Sequence, residues 1–304
     1  MIRIFKIFVF FSFLFSVYGQ SEYIYVLGNV QDAGLPHIGC KHEFCNEKFN
    51  EFEEYFTTSI AVIDPLIKKY VLFEATPDLP YQLNYLDKKL FKNFFLPESI
   101  FITHAHIGHY AGLMYFGREA LGSKDLKVNV LPKMANFLKT NGPWSQLVDI
   151  NNIKIQEINF GQKTNHLSNI SVIPIKVPHR DEYSETAAYE IIGINKKALF
   201  IPDIDKWEKW SKNLIELVQE FDYLLLDATF YDSKEINRDI SEIPHPLVTE
   251  TIELLNNLSL EEKNRVYFIH MNHTNLMLDP DSELSKQVTS KGFNISRLGL
   301  KLYL

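Results

Sequence analysis

The stretch Phe101-Ile-Thr-His-Ala-His-Ile-Gly-His109 places three histidines within six residues, directly after an apolar segment that predicts a β-strand over Ser99–Thr103. Side chains two residues apart on an extended segment point the same way, so His104 and His106 can bind one ion together. His109 opens the next predicted helix and can turn toward a neighbouring position. Imidazole nitrogens bind zinc, iron, nickel and copper, so this stretch predicts a transition-metal site.

Four further motifs lie at the ends of predicted strands: Tyr70-Val-Leu-Phe-Glu-Ala-Thr-Pro77, Val177-Pro-His-Arg180, Ala198-Leu-Phe-Ile-Pro-Asp203 and Val266-Tyr-Phe-Ile-His270. The histidine stretch resembles the His-x-His-x-Asp-His signature of the metallo-β-lactamase superfamily. The other four motifs resemble further landmarks of that superfamily, in the same order along nearly the whole chain. The resemblance implies a mixed α/β fold, the four-layer αββα sandwich, with metals at one edge of two facing sheets.

The resemblance also implies six metal ligands at the active site: His104, His106 and His179 for one metal, His109 and His270 for a second, and Asp203 as a bridge. Asp203 and His270 are the residues expected to take part directly in catalysis. Since Pro202-Asp-Ile-Asp205 offers two carboxylates, Asp205 stays open as the bridging residue, although Asp203 is closer to the strand end. In such sites a metal-bound hydroxide attacks the substrate.

Gly108 departs from the superfamily pattern, which has an aspartate at this position as a ligand of the second metal. Glycine supplies no ligand, so the sequence predicts a second site that binds its metal more weakly. Three protein ligands still suffice for a catalytic metal. A mononuclear site and a non-catalytic relative therefore both stay open.

A second cluster contains the only two cysteines of the chain, in the order Cys40-x-His42-x-x-Cys45. With His273, three residues after His270, these side chains make a candidate structural zinc site. The arrangement is similar to the structural zinc site of the superfamily branch that contains pyrroloquinoline quinone biosynthesis protein B and the cyclic phosphodiesterase of phosphonate breakdown. A disulfide between the two cysteines is the alternative, which an oxidising compartment would favour.

The organisation of the chain predicts one domain over residues 20–304, since strand-like and helix-like segments alternate without a repeat or a linker. Predicted strands include Ser59–Asp64, Ala187–Ile192 and Tyr223–Asp227, and a helix is predicted over His109–Leu121. Three isolated histidines (His37, His166 and His245) are assigned to surface or capping positions. Asp227 is either a neighbour of the metal ligands or an ordinary strand-end acid.

The first 19 residues have the layout of a secretory signal peptide, with Arg3 and Lys6 before an apolar run and small residues before Gln20. The run is too short to span a bilayer, so no stable membrane insertion is expected after cleavage. Cleavage changes the net charge from −7 to −9, which disfavours nucleic acid as a partner. We therefore expect an exported protein, periplasmic or extracellular.

Three functions are compatible with these residues. The first is a metal-dependent hydrolase that acts on a small phosphodiester, ester or lactam-like substrate. The second is an iron-dependent oxidative enzyme of the quinone-cofactor biosynthesis type, and the third is a metal-binding protein without turnover. Zinc is the expected metal at two active-site positions and one structural position, with manganese or iron as alternatives.

Overall fold

Two mixed β-sheets lie face to face at the centre of the protein in this computed structural model, which describes residues 21–51, 55–235, 239 and 242–304. The predicted signal peptide, residues 1–19, lies outside the described residues. The strands of the first sheet are β1 (Tyr23–Gly28), β2 (Ser59–Asp64), β3 (Lys69–Phe73), β4 (Ser99–Phe101), β5 (Leu126–Val130), β6 (Ile153–Glu157) and β14 (Lys301–Tyr303). They are arranged in the order β14-β1-β2-β3-β4-β5-β6.

The second sheet is formed by β7 (Thr164–His166), β8 (Ile170–Lys176), β9 (Ala187–Ile192), β10 (Lys197–Ile201), β11 (Tyr223–Asp227), β12 (Val266–Ile269) and β13 (Asn294–Ile295), in the order β13-β12-β11-β10-β9-β8-β7. Each sheet is antiparallel on one side and parallel on the other. The parallel parts are β3 to β6 in the first sheet and β10 to β13 in the second.

Helices cover the outer faces of both sheets. They are α1 (Glu43–Glu51), α2 (Leu79–Leu86), α3 (Ile107–Tyr110), α4 (Pro132–Thr140), α5 (Trp144–Asp149), α6 (Leu214–Glu220), α7 (Val248–Leu254), α8 (Leu260–Lys263) and α9 (Glu283–Ser290). The layers follow the order helix, sheet, sheet, helix, as the αββα prediction requires. Among the described residues, no helix combines the length and the apolar character needed to cross a membrane.

Both faces of each sheet are buried, one against the other sheet and one against the helices, and the apolar strands account for this. In β1, Ile24 and Val26 pack between the sheets, whereas Tyr23, Tyr25 and Leu27 pack under the helices of the first sheet. Successive side chains of a strand point to opposite faces, so an uninterrupted apolar run is buried on both sides. The runs that form β1 and β2, for example, are buried at every position.

Aromatic rings form the centre of the contact between the sheets. The ring of Phe73 stacks on Phe101 with centroids 5.0 Å apart, and it meets Tyr189 and Phe200 edge-on at 5.5 and 6.2 Å. Offset and edge-to-face pairs add about 0.5–1.5 kcal/mol each beyond the burial of their area. This cluster holds β3 and β4 of the first sheet against β9 and β10 of the second, close to the edge where the histidines lie.

The helix predicted over His109–Leu121 is wrong in extent. Only α3 is α-helical, and a 3-10 helix follows over Ala111–Phe116. The amide of Gly112 donates to the carbonyl of Ala75 at 2.8 Å, and a Cβ on Gly112 would lie 2.1 Å from the carbonyl oxygen of Thr76. Because the segment at Ala75 and Thr76 lies so close to Gly112, the backbone here does not continue the regular α-helical hydrogen bonds.

Candidate metal centre

The candidate site lies at the edge where the parallel strands of both sheets end. His104 follows β4, Asp203 follows β10 and His270 follows β12. Since the carboxyl ends of parallel strands meet at the same edge, residues far apart in sequence come together there. The structure brings together all six residues predicted as active-site ligands.

His104, His106 and His179 form the first group, in which each ring offers a nitrogen within 4.8 Å of the others. The Nε2 atom of His104 lies 2.8 Å from Nδ1 of His106. The loop at His106 is extended, with φ −93° and ψ 145°, so the two rings lie on the same side as the sequence predicted. Three imidazoles arranged in this way leave a fourth position of a tetrahedral metal open.

Polar neighbours orient two rings of the first group. Nδ1 of His104 lies 2.8 Å from the Thr103 hydroxyl, and Nε2 of His106 lies 3.1 Å from Glu182 Oε2. In each ring one nitrogen is therefore held by a neighbour while the other faces the group. Metal-binding histidines depend on such contacts to fix the tautomer and the ring orientation.

The second group consists of Asp32, His109, Asp203 and His270, again within 4.8 Å of one another. Asp203 Oδ2 lies 2.8 Å from His109 Nε2 and 3.5 Å from His270 Nε2. The other ring nitrogens lie close to polar side chains: His109 Nδ1 is 3.3 Å from Glu74 Oε1, and His270 Nδ1 is 3.1 Å from the Thr229 hydroxyl.

Asp203 lies between the two groups. Besides its contacts in the second group, its Oδ2 lies 3.5 Å from His104 Nε2 and its Oδ1 lies 4.0 Å from His179 Nε2. Asp205, the alternative bridging residue, points elsewhere and pairs with Lys209 at 2.8 Å. Of the two carboxylates in this stretch, only Asp203 is placed to bridge.

Several buried polar atoms of this site have no hydrogen-bond partner among the described residues: Asp32 Oδ1, both ring nitrogens of His109, His179 Nδ1, Asp203 Oδ1 and His270 Nε2. An unpaired buried polar atom costs about 1–3 kcal/mol, and native structures contain few of them. Most of these atoms face the same small space and are nitrogens or carboxylate oxygens. The residues therefore fit transition-metal ions.

The protonation of the first group suits metal binding. Burial, together with the nearby charge of His109, lowers the pKa of His104 well below its usual range. Burial also lowers the pKa of His179, to about 4. Both rings are therefore neutral at pH 7, which is the form of imidazole that binds a metal.

The second group carries opposite charges. Burial opposes ionisation of Asp203, but its interactions with the surrounding imidazoles, that of His270 first, outweigh this effect and lower the pKa of Asp203 well below its usual range. Burial would lower the pKa of His109, but the carboxylates of Glu74 and Asp203 raise it well above its usual range. A metal must therefore displace a proton from His109, so metal binding weakens as the pH falls.

Two residues at the site have backbone angles that are unusual for side chains with a Cβ. Glu74 has φ 73° and His270 has φ 64°, both in the left-handed region, and each directly follows a strand. Such angles cost about 1–3 kcal/mol and are concentrated at functional sites. Here they turn a strand-end side chain inward, which places Glu74 against His109 and His270 against Asp203.

The assignment of His245 to the surface or a cap is wrong. Its side chain is buried, with Nδ1 2.8 Å from Asp227 Oδ2 and 3.3 Å from Asp203 Oδ1. Asp227 in turn accepts from the Ile204 amide at 3.1 Å, next to Asp203. Asp227 is therefore a neighbour of the proposed ligands, and with His245 it holds the Asp203 loop. The one signal in the sequence was the strand-end position of Asp227.

Asp32 is a further residue of this site, and no pattern in the sequence indicates it. It lies in the loop after β1, within the sequence Gly28-Asn-Val-Gln-Asp32. Nothing in a lone aspartate of a glycine-containing loop distinguishes it from an ordinary turn residue. Its proximity to His109 and His270 depends entirely on how this loop packs.

The thiol cluster is formed by Cys40, Cys45 and His273, whose ligand atoms lie within 4.8 Å of one another. The two cysteines are not bonded to each other. Burial and the neighbouring Cys40 thiol raise the pKa of Cys45 to about 11. Without a metal, the Cys45 thiol stays protonated at neutral pH.

His42 does not join the thiol cluster, in contrast to the prediction. It is exposed and only lines the shallow cavity that also contains His37 and His273. The ring of His37 stacks on that of His273 with centroids 3.9 Å apart. The placement of the second cysteine in α1 explains this, because the helix begins at Glu43 and turns Cys45 inward while His42 stays before it.

The sequence of residues 69–271 matches the profile of the family described as Beta-lactamase superfamily domain, which covers more than half of the chain. The chain belongs to the metallo-β-lactamase superfamily. Within this superfamily, coenzyme PQQ synthesis protein B of Methylococcus capsulatus is 25% identical across 92% of this chain and 99% of its own length. The corresponding protein of Methylobacillus flagellatus is 24% identical across 93% of this chain.

Solved structures of the superfamily share the fold. Zn²⁺-bound PqqB from Methylobacterium extorquens superposes with a TM-score of 0.78 and 19% identity, across 93% of this chain and 100% of that one. A diphosphatase from the PhnP family superposes with a TM-score of 0.66 and 22% identity, across 93% and 97%. The predicted αββα fold and the predicted resemblance to the PqqB and phosphodiesterase branch are thereby confirmed.

The Asp203→Asn variant tests the bridging carboxylate. We expect its zinc affinity to fall by at least about tenfold, because the neutral amide removes the charge that both groups share. Asp205→Asn is the matched control, since that carboxylate lies on the same loop but pairs with Lys209. Zinc titration of dialysed protein measures both variants. Equal affinities for the two would contradict the bridging position of Asp203.

The Cys45→Ser variant tests the thiol cluster. We expect the loss of one zinc per chain and a lower Tm, by about 2–4 °C for each kcal/mol of stability lost. His42→Ala should keep the zinc, because His42 lies outside the cluster. A second measurement counts the free thiols of the unmodified protein after denaturation without reductant. Absence of free thiols there would favour the Cys40–Cys45 disulfide.

Proposed function

We propose that this protein is a metal-dependent hydrolase of a small phosphodiester, ester or lactam-like substrate. The observation that carries the proposal is the placement of Asp203 between two groups of histidines, with oxygens 2.8 Å from His109 and 4.0 Å from His179. This spacing supports two metals rather than one. When bound there, zinc would polarise the substrate and lower the pKa of a water toward about 7.

The chain's own residues would perform three tasks in this reaction. The histidines of both groups, whose side chains are at most 1% exposed except that of His106 at 13%, would hold the metals in a fixed geometry. Asp203 would supply negative charge to both positions, and Glu74 would keep His109 turned toward Asp203. Glu182 would hold His106 in the tautomer that leaves Nδ1 facing the first group.

A cavity beside the first group supports a small-molecule substrate. It has a volume of about 520 Å³ and is lined by residues that include Lys133, Asn136, Phe137, Glu182 and Tyr183. Glu182 also contacts His106, so the cavity opens next to the candidate metal ligands. Its volume lies within the range of about 300–1,000 Å³ that is usual for ligand sites.

An oxidative reaction is the second candidate. The similarity to coenzyme PQQ synthesis protein B, across 92% of this chain, favours it. In that case the same histidines would hold iron, and the substrate would be a precursor of a quinone cofactor.

The hydrolytic proposal is tested with bis(p-nitrophenyl) phosphate and a panel of activated esters, on zinc- or manganese-loaded protein. We expect turnover, and we expect kcat to fall by more than about 100-fold in His106→Ala. His166→Ala is the control, because that ring packs against Phe101 and lies outside both groups. Inert protein across the panel would contradict hydrolysis. Oxygen uptake by iron-loaded protein with a quinone-precursor analogue would then favour the oxidative candidate.

We also propose that the protein is exported and that residues 1–19 are removed. The charge and hydropathy pattern of that segment supports this proposal. Expression of the full chain in a host with a general secretion pathway should yield a product that begins at Gln20. Intact-mass measurement of the periplasmic or secreted fraction checks this. A product that keeps Met1 and stays in the cytoplasm would contradict export.

A further inference from the structure

Gly108 and Asp32 compete for the same space. A Cβ built on Gly108 would lie 2.4 Å from Asp32 Oδ1 and 2.5 Å from the Cα of Asp32. These distances are far below any normal contact between carbon atoms, and one of the opposing atoms belongs to the backbone. A side chain at position 108 is therefore incompatible with the observed path of the Asp32 loop.

The Asp32 carboxylate reaches the histidines of the second group. Its Oδ1 atom lies 3.2 Å from His109 Nε2 and 3.5 Å from His270 Nε2. That oxygen is buried and has no hydrogen-bond partner among the described residues, although the side chain as a whole is 35% exposed. One oxygen thus faces the same small space as Asp203, while another part of the side chain is exposed to solvent.

We infer that Asp32 is a ligand of the second metal and replaces the carboxylate that Gly108 cannot supply. In this arrangement the second position has four protein ligands: Asp32, His109, Asp203 and His270. The glycine is then not a defect of the site but a requirement of it. The inference rests on the proposed metal-dependent function, and it reverses the expectation of a weakened second site.

The loop that carries Asp32 is held beside His270 by backbone hydrogen bonds. The Gln31 amide donates to the Met271 carbonyl at 2.8 Å, and the Met271 amide donates to the Asn29 carbonyl at 2.8 Å. The Asn29 side chain donates in turn to the Ser296 carbonyl at 2.7 Å. Asp32 is therefore presented by a segment that is hydrogen-bonded to Met271, the residue after His270, and a metal ligand needs such support.

A simple charge pair between Asp32 and His109 is the alternative explanation. Such a pair would place the carboxylate in a hydrogen bond with a single histidine. Instead, Oδ1 lies at similar distances from two imidazole nitrogens without bonding geometry to either. One oxygen between two nitrogens, with a second carboxylate opposite, is the arrangement expected of ligands around a common ion.

The first experiment compares zinc binding by the mature protein with that of Asp32→Asn, which keeps the size of the side chain. We expect Asp32→Asn to bind one zinc per chain at least about 100-fold more weakly, with the remaining zinc unchanged. Asp205→Asn is the control and should bind as the unmodified protein does. Isothermal titration and metal analysis give the readout, and thermal melts check that each variant is folded. Unchanged zinc binding in Asp32→Asn would overturn the inference.

The second experiment uses Gly108→Ala, which adds the Cβ alone. We expect this variant to lose the same zinc as Asp32→Asn, because the Asp32 loop must move away. Full zinc binding by a folded Gly108→Ala protein would overturn the claim that the two positions compete. Asp32→Asn, which leaves Gly108 in place, tests the ligand role independently of that change.

These outcomes are separate from those of the hydrolytic proposal. Loss of one zinc in Asp32→Asn supports the ligand role even if the protein hydrolyses none of the esters. Conversely, ester hydrolysis by a protein whose Asp32→Asn variant keeps all its zinc supports the function and overturns this inference.

Discussion

A buried carboxylate surrounded by imidazoles is the constraint on which the rest of this structure depends. Asp203 is 3% exposed, and a carboxylate buried without compensation costs several kcal/mol. Five histidines lie around it: His104, His109, His179, His245 and His270. Burying any one of these polar groups alone would cost free energy, because it would lose its contacts with water. The negative charge of Asp203 is compensated only when positive charge is present, as protons on some rings or as metal ions.

The arrangement of the two sheets brings this cluster together. Three of its members follow parallel strands that end at one edge, and the aromatic contact between the sheets keeps that edge closed on the apolar side. A ring of outer partners then orients the histidines. Glu74 contacts His109, Thr229 contacts His270, and Glu182 contacts His106. The left-handed angle of Glu74 shows that the backbone accepts strain to complete this ring.

The parts of the site that could be predicted from the sequence are those with a local pattern. His104, His106 and His109 are close in sequence, and Asp203 and His270 follow apolar strands. The bounds of β2, β9 and β11 agree with the predicted strands for the same reason.

Asp32 and His245 could not be predicted, because each is a single polar residue in an irregular segment. Their place at the site results from pairing with distant residues, Met271 for the Asp32 loop and Asp227 for His245. The strand β6 was also missed, since Ile153-Lys-Ile-Gln-Glu157 alternates too briefly and is polar at one end. This strand forms by pairing with β5, and a local sequence pattern does not show that pairing.

The pairing of the Asp32 loop with Met271 has a consequence for how the molecule is assembled. The loop follows the first strand of the described chain, whereas Met271 follows β12, near its other end. During synthesis, the second group of ligands therefore stays incomplete until almost the whole chain has left the ribosome. A metal at that position would therefore bind late, because its ligands come together only after the Asp32 loop has paired with the segment that follows β12.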